Sequence, residues 1–359
     1  MVMRTTLWIV VGVGIMAGAH AQIPGSAPGA PDPKIGGGVS KMSVPQSMLS
    51  VRDTTAWHRI LRSIIRIEDR HGTIAVLIDR SGLFLAPDLA GATPTVRAFT
   101  AEGRVIKLTL VTIDDSSQIA LWQTPSAEVQ DLLPAVVADR ESVAGALVYA
   151  ATPEGPTKGH FVAWGRVGVI KPSLRYVPLS EIRFEAVPRP LGGAPIFLAD
   201  GRLAGLVGAT LEPVNQVKRM DSAPSYFGPM GVTVGYSLGT TVLDRVVTGF
   251  RSPSQRPEHP AIGAFFRDAG EPGALVVEVM EGSPSAKAGL REGDVITQLD
   301  QVIISNAVDL AALLFDQRVG RVIRVTIRRR GEAEAMTLPI TVGRRAETLS
   351  TRKVLQTPP

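Results

Sequence analysis

The sequence predicts a mainly β protein with two compact domains, and three observations lead to this fold class. The chain has 359 residues, more than twice the length of about 150 residues that is typical of one domain. Hydrophobic residues make up 45% of the chain and charged residues 20%, a globular composition rather than a disordered one. Between residues 72 and 247, short apolar runs alternate with turn residues, as in a β-barrel or a β-sandwich.

Residues 1–21 have the pattern of a secretory signal peptide. Arg4 supplies a positive charge, an apolar stretch covers residues 7–16, and an A-x-A cleavage motif ends at Ala21. Cleavage before Gln22 would leave a chain without an integral membrane span, and an uncleaved anchor is the alternative. Since the sequence has no cysteine, it needs no disulfide, and we expect a periplasmic or secreted protein of the bacterial cell envelope.

The chain is expected to continue with a disordered linker over residues 22–50, which are rich in Pro, Gly and Ser and offer almost nothing to bury. A first β domain then takes residues 51–250 and ends in a helix over 240–247. Three segments complete the chain: a Pro-rich linker (251–260), a second compact domain (261–342) and a disordered tail (343–359).

Eight strands are predicted in the first domain from runs of β-type residues bounded by turn signals. The runs cover residues 73–78, 83–85, 95–99, 105–113, 119–123, 146–151, 165–170 and 203–207. Residues 57–67 are expected to lead into them as a short helix or as the start of a strand.

The second domain has the sharper motif. An apolar strand pattern over 273–279 is followed by a short helix that Gly289 can cap, and Gly293 can turn the chain into the next strand. A helix over 306–315 and a strand over 321–328 follow. This pattern resembles a PDZ domain of the type found in bacterial envelope proteases, which are domains that bind an extended peptide as an added strand.

The resemblance implies a groove for peptide or protein C-termini. The loop of Ile262, Gly263 and Ala264 would hold the terminal carboxylate through backbone N–H groups. Ala307 and Ala311 are four residues apart on one helix face and would leave a roomy apolar pocket. The alternative is that this loop is only the entry to a packed strand.

The first domain resembles the trypsin-like protease domain of the HtrA (DegP-like) family. The segments 76–85, 112–121 and 192–206 are similar to the family's segments around its histidine, aspartate and serine. The resemblance implies a trypsin-like double β-barrel. In such hydrolases a hydroxyl attacks, an imidazole takes its proton and a carboxylate orients the imidazole.

The family's catalytic positions fall on residues that cannot perform this chemistry. Leu89 stands at the histidine position, Gln118 at the aspartate position and Gly192 at the serine position. Pro190, at the oxyanion position, has no N–H to donate. We therefore interpret the chain as an inactive homologue with no catalytic residue, a pseudoprotease whose PDZ domain has a scaffold, chaperone-like or protease-regulating role.

Two other functions remain open. An active serine endopeptidase of envelope protein quality control would use non-standard residues, for instance Ser180 or Ser173 with His160. A structural component of an envelope complex would bind no free peptide. An active HtrA-type protease and further copies of this chain are possible partners.

No cofactor, metal or nucleic acid is expected. The adjacent Asp114 and Asp115 face opposite sides of a strand, and no further ligand cluster accompanies them. The net charge of +5 and the basic run 328–330 are explained by a solvated turn and an exposed tail.

Overall fold

The structure is a computed structural model, and it describes residues 50–69, 72–88, 94–140, 142–170, 175–185, 193–207, 211–213 and 233–345. The predicted signal peptide, all of the following linker except Ser50, and residues 346–359 lie outside this part of the chain. The described residues form two β-barrels and a third sheet with two helices, so the mainly β prediction is confirmed.

The first barrel contains β1 (Ile64–Ile67), β2 (Ile74–Asp79), β3 (Leu83–Pro87), β4 (Thr95–Phe99), β5 (Val105–Asp114) and β6 (Ile119–Gln123). These strands close in the order β1-β2-β3-β6-β5-β4. Helix α1 (Val51–Leu61) precedes them. It begins with a capping box, because the Ser50 side chain accepts from the Asp53 N–H and the Asp53 side chain accepts from the Ser50 N–H.

The second barrel contains β7 (Leu147–Thr152), β8 (Gly155–Ile170), β9 (Arg175–Phe184), β10 (Pro195–Leu198), β11 (Leu203–Leu206), β12 (Leu211–Pro213) and β13 (Thr233–Leu238). Their order is β12-β8-β7-β10-β11-β13-β9, and the additional pairing of β8 with β9 closes six of them into a ring. Helix α2 (Thr240–Arg251) follows, with Val246 and Phe250 buried in the barrel core.

Four strands of the second barrel, β9, β10, β12 and β13, have no counterpart in the strands predicted from sequence. β9 contains Pro178 and three charged residues, so its sequence alone does not predict a strand. It is nevertheless paired on both sides, with β8 and with β13, because long-range pairing overrides its weak propensity.

The third sheet has the order β15-β16-β17-β19-β20, with strands β15 (Ala264–Asp268), β16 (Ala274–Val279), β17 (Val295–Leu299), β19 (Val322–Arg328) and β20 (Met336–Thr341). β18 (Val302–Ile303) pairs with β17 of this sheet. β14 (Pro260–Ala261) and β21 (Gly343–Arg344) form a separate two-stranded sheet. Helices α3 (Pro284–Lys287) and α4 (Ala307–Phe315) lie where the sequence predicts them. Gly289 and Gly293 have φ angles of +84° and +88°, as a cap and a turn require.

The segments between the domains are more ordered than predicted. Helix α2 extends to Arg251 and β14 begins at Pro260, so both ends of the predicted linker 251–260 belong to regular elements. Residues 343–344, predicted as the start of a disordered tail, form β21. The linker is held by packing, since Pro257 lies against the Cα of Gly249 in α2. Across the described ranges, no helix is long and apolar enough to cross a bilayer.

Candidate functional site

Strand β15 and helix α4 form the two walls of the predicted peptide groove. β15 stands at the end of the strand order, so one of its edges has no neighbour among the strands of that sheet. Gly263 precedes it with a φ of +72°, a backbone conformation that favours glycine. The loop is fixed by its own carbonyls, because Ile262 O accepts from Ser285 N at 2.9 Å and Gly263 O from Met280 N at 2.9 Å.

The structure brings the predicted peptide-binding residues together but does not give them an open pocket. Ile262, Ala264, Ala307 and Ala311 belong to one apolar cluster, and each is at most 3% exposed. Gly263 is also buried. The roomy apolar pocket expected from two alanines is therefore covered in this conformation.

These residues are buried within the apolar core of their own domain, and two further contacts lie near them. The Asp268 carboxylate, at the end of β15, accepts a hydrogen bond of 3.1 Å from the backbone N–H of Ala307, at the start of α4. Strand β9 of the second barrel packs along α4, and its Tyr176 contacts the apolar core of the PDZ-like domain. Sequence patterns gave no sign of these contacts, because they join distant segments.

A buried polar junction between the first barrel and the third sheet was also missed by sequence analysis. His259 Nε2 lies 2.7 Å from Asp114 Oδ1, and both side chains are less than 10% exposed. The Ser117 hydroxyl donates to the other oxygen of Asp114, and Arg345 donates to Ser116 Oγ at 3.0 Å. Burial raises the pKa of Asp114, but the hydrogen bonds and the charge of His259 outweigh it and hold this pKa below its usual value.

This junction contains a hydroxyl, a carboxylate and an imidazole, but not in the order of a hydrolytic triad. Both Ser117 and His259 bond to Asp114, which lies between them. A nucleophile needs the imidazole within hydrogen-bond reach to take its proton, with the carboxylate on the far side. The contacts instead fasten the β5–β6 turn to the segment that follows α2.

Of the residues predicted to stand at the family's catalytic and oxyanion positions, only Gln118 lies in the described part of the chain; Leu89, Pro190 and Gly192 lie outside it. Gln118 ends the β5–β6 turn with a φ of +56°, and its Nε2 donates to the Asp115 carbonyl at 3.0 Å. Its own carbonyl accepts from Asp88 N at 2.9 Å. Burial raises the pKa of Asp88, and the negative charge of Asp115 raises it further.

The alternative pair of Ser180 and His160 is not brought together. His160 of β8 lies opposite Arg183 of β9, and Ser180 is three residues further along β9. At a rise of about 3.3 Å per residue this separation is on the order of 10 Å, and an odd spacing also points the two side chains to opposite faces. Ser180 is buried opposite Ser237 of β13, and Ser173 lies outside the described residues.

The basic run at 328–330 is used in structural ion pairs. Arg329 lies 2.8 Å from the buried Asp294, and Arg328 lies 2.9 Å from Glu271. Within the described ranges, no group of three or more histidine and acidic side chains is placed to hold a metal ion.

Comparison with known proteins agrees with both parts of the fold, the two β-barrels and the PDZ-like domain. Residues 260–340 match the family model described as PDZ domain. The chain is 29% identical over 163 residues (43% of this chain, 30% of the relative) to the probable periplasmic serine endoprotease DegP-like of Rhizobium meliloti. It is 21% identical over 259 residues (64% and 60%) to the serine protease Do-like HtrA of Lactococcus lactis subsp. cremoris.

The periplasmic pH-dependent serine endoprotease DegQ of Escherichia coli is 23% identical over 248 residues, which are 64% of this chain and 50% of the relative. The chain thus spans between 30% and 60% of the length of these curated relatives. The predicted envelope localisation agrees with the names of relatives that are called periplasmic.

Among solved structures, the HtrA-type protease AlgW with decapeptide superposes with a TM-score of 0.54 at 18% identity, over 81% of this chain and 98% of that one. The serine endoprotease from Yersinia pestis superposes with a TM-score of 0.52 at 16% identity, over 83% of this chain and 99% of that one. At these identities the likeness establishes the fold.

The expectation that the chain is not an enzyme is corrected by these comparisons. The relatives are named serine endoproteases, although their identity to this chain is low. The described residues do not show the loss of a catalytic triad, since Leu89 and Gly192 are not among them. The chain has a trypsin-like protease fold followed by a PDZ domain, and the proteins it is similar to are serine endoproteases of the HtrA/DegP type.

Proposed function

We propose that this protein is a serine endopeptidase of protein quality control in the bacterial cell envelope, and that its PDZ domain binds the C-termini of peptides or proteins. One observation carries the proposal: a trypsin-like fold is joined to a PDZ domain whose edge strand β15 lies between a glycine loop and helix α4. The relatives' names support the endopeptidase activity.

The groove has the chemistry for an extended peptide. An edge strand offers backbone N–H and C=O groups that an added strand can pair with. The apolar side chains of Ala307 and Ala311 would contact the side chains of the ligand, and the loop at Gly263 would hold its carboxylate. Hydrogen bonds of the backbone would give affinity, and the apolar wall would give selectivity.

The proposed cleavage needs groups other than the family's standard ones. Leu89, Gln118 and Gly192 have no side chain that can serve as base, orienting carboxylate or nucleophile. The proposal therefore places the reaction on non-standard residues of the trypsin-like domain. We do not propose that the buried group around Asp114 performs this cleavage. Ser117 and His259 both bond to Asp114, so the imidazole is not placed to take a proton from the hydroxyl.

We further propose that residues 1–21 are a cleaved signal peptide, that the chain associates with copies of itself, and that it regulates or assists an active HtrA-type protease. The signal pattern and the periplasmic names of the relatives support the first of these.

Fluorophosphonate labelling of residues 22–359, run together with casein digestion, tests the endopeptidase activity against an active HtrA-type control. We expect a labelled serine, identified by mass spectrometry, and loss of cleavage when that serine is replaced by alanine. Absence of both label and cleavage under conditions in which the control is active would contradict the proposal.

A second experiment tests the peptide groove separately. Binding of fluorescein-labelled decapeptides with a free terminal carboxylate is measured by anisotropy. We expect binding to be lost in Gly263→Asp and in Ala311→Trp, which place a like charge or a bulky ring in the groove. Ile303→Ala, on the exposed strand β18, is the matched control. No binding by the wild-type chain would favour a structural component of an envelope complex instead.

A further inference from the structure

Exposed apolar side chains from three strands meet at a cavity between the second barrel and the outer face of the PDZ domain. The cavity has a volume of about 710 Å³, within the range of about 300–1,000 Å³ that is usual for small-molecule sites. It is lined by Trp164 of β8, Val302 of β18 and Val322 of β19, which are 37%, 46% and 57% exposed. Single exposed apolar residues are common on protein surfaces, but a group of them indicates an interaction site.

An irregularity in the β8–β9 pairing falls on the tryptophan of this cavity. The register of β8 against β9 shifts between Ala163 and Arg166, so that Trp164 and Gly165 lie between paired residues without a partner of their own on β9. Gly165 has a φ of +87°, a conformation that favours glycine. Bulges of this kind redirect side chains out of the regular alternation of a strand. The backbone of β8 is therefore shaped where it presents the indole to the cavity.

The charged side chains around the cavity leave one positive charge without a partner. The Asp300 carboxylate accepts from Arg321 Nη2 at 2.7 Å and, at its other oxygen, from Arg324 N at 2.9 Å. The negative charge of Asp316 compensates in part for the burial of the Arg245 guanidinium in α2. The guanidinium of Arg324 is exposed, and no carboxylate of the described ranges forms an ion pair with it. The cavity is thus complementary to an anion.

The wall that carries this guanidinium is fixed by hydrogen bonds. Asp300, in the turn between β17 and β18, has a φ of +52°, and its N–H donates to the carbonyl of Arg324 at 2.7 Å. The carbonyl of Asp300 accepts from Gln298 Nε2 at 2.8 Å. The buried Gln317 side chain accepts from Arg321 Nη1. A site that is ordered before binding loses less conformational freedom when a ligand arrives.

We propose that this cavity binds a small apolar carboxylate, such as a medium-chain fatty acid. The carboxylate pairs with the Arg324 guanidinium, and the hydrocarbon packs against Trp164, Val302 and Val322. The site is separate from the proposed peptide groove, because none of the predicted peptide-binding residues lines the cavity. The inference does not depend on the proposed endopeptidase activity.

Decanoate, kept below its micelle concentration, is the probe for the chain of residues 22–359. Decyltrimethylammonium, an amphiphile of the same chain length and opposite charge, is the control ligand. Equilibrium dialysis with radiolabelled decanoate measures binding, and acrylamide quenching of tryptophan fluorescence reports protection of Trp164. Trp57 and Trp122 are at most 2% exposed, so Trp164 supplies the quenchable signal, and Trp164→Phe checks this assignment.

We expect saturable binding of decanoate with reduced quenching, and weaker binding of decyltrimethylammonium. Arg324→Gln should weaken decanoate binding about fivefold, as the loss of one exposed ion pair predicts. Val322→Asp should abolish it, because a negative charge then replaces part of the apolar wall. Val105→Asp, at a similarly exposed strand position of the first barrel, is the matched control and should leave binding unchanged. Circular dichroism shows whether each variant is folded.

Three results would overturn the inference. The first is the absence of decanoate binding by the wild-type chain. The second is binding that stays unchanged in both Arg324→Gln and Val322→Asp. The third is loss of decanoate binding in Gly263→Asp, since this would place the carboxylate in the loop of the peptide groove rather than at Arg324.

Discussion

Asp53 is a buried carboxylate that holds the start of α1 against the second barrel. It accepts from the Tyr149 hydroxyl at 2.6 Å and from Ser50 N at 3.0 Å, and Lys158 Nζ lies 3.2 Å from it. Burial raises the pKa of Asp53, but these hydrogen bonds outweigh it and hold the pKa far below its usual value. The residue therefore stabilises the folded chain in its charged form.

We expect Asp53→Asn to lower the free energy of unfolding by about 2–3 kcal/mol at pH 7, because a buried charged hydrogen-bond network loses its centre. Because the pKa of Asp53 is lower in the folded chain than in the unfolded chain, the charged carboxylate stabilises the fold at pH values above its unfolded pKa. This stabilisation is lost progressively as the pH falls below about 4. Urea unfolding at pH 7 and at pH 3 measures this effect. Between these two pH values, the free energy of unfolding should fall less in Asp53→Asn than in the wild type. Glu68→Gln, in an exposed pair with Arg97, is the control and should change stability by less than about 0.5 kcal/mol.

The buried contact of Asp114 with His259 and Ser117 gives a second prediction for a single residue. Asp114→Asn removes the charge that His259 and Ser117 share, and we expect a loss of about 2 kcal/mol of unfolding free energy. Hydrogen exchange should become faster in the segment 252–259, which this contact holds. The neighbouring Asp115→Asn is the matched control, since Asp115 is exposed. Equal effects of the two substitutions would show that the junction adds nothing to stability.

At the scale of elements, helix α2 connects the barrels to the PDZ domain. Its apolar residues Val246 and Phe250 face the barrel core, while Gly249 lets the following segment pass close to the helix. A side chain at position 249 would place its Cβ 2.6 Å from Pro257 N and closer still to Pro257 Cα. The close approach fixes the direction in which the chain leaves the helix.

We expect Gly249→Ala to destabilise the chain, although alanine is the better helix former by about 1 kcal/mol. The new methyl group meets the backbone of Pro257, which cannot move aside as a flexible side chain would. The loss should be about 1–3 kcal/mol, as for overpacking. Thr248→Ala, at an exposed site of the same helix, should be neutral or slightly stabilising. Thermal unfolding of the two variants distinguishes the steric effect from helix propensity.

At the scale of the whole molecule, the two domains share apolar and polar contacts at the end of α4. Phe315 enters the barrel cluster, and Arg245 of α2 donates to its carbonyl at 2.7 Å. Burial lowers the pKa of Arg245 to about 10, and the charges of Asp316 and Asp114 oppose this shift, so the guanidinium stays charged at neutral pH. The PDZ domain is therefore attached by a packed interface in addition to its linker.

We expect Phe315→Ala to uncouple the domains. Loss of a buried phenylalanine costs about 3–5 kcal/mol, and here the loss falls on the contact between domains. Calorimetry should show one transition for the wild type and two for the variant, with faster proteolysis in the segment 252–259. Val322→Ala, at an exposed position of β19, is the control. A single transition at an unchanged temperature in Phe315→Ala would contradict the coupling.

Local patterns predicted much of the fold. The strands at 95–99 and 119–123 were predicted with the observed bounds, and α4 within one residue, because alternation, helical spacing and capping residues are local signals. β9 was missed, since its proline and charges mask a strand that both neighbours stabilise. The predicted groove residues were brought together, but their burial was not foreseen, because it depends on the packing of the whole domain around them.

The sequence by itself determined the mainly β class and the PDZ motif with its turn glycines. These depend on residue type and on spacing within short segments. Only the tertiary structure decided that Asp114 meets His259, 145 residues away, and that Tyr176 packs on the PDZ core. Such contacts are selected by the packing of whole domains, whose energy is spread over many weak interactions and leaves no pattern in either segment alone.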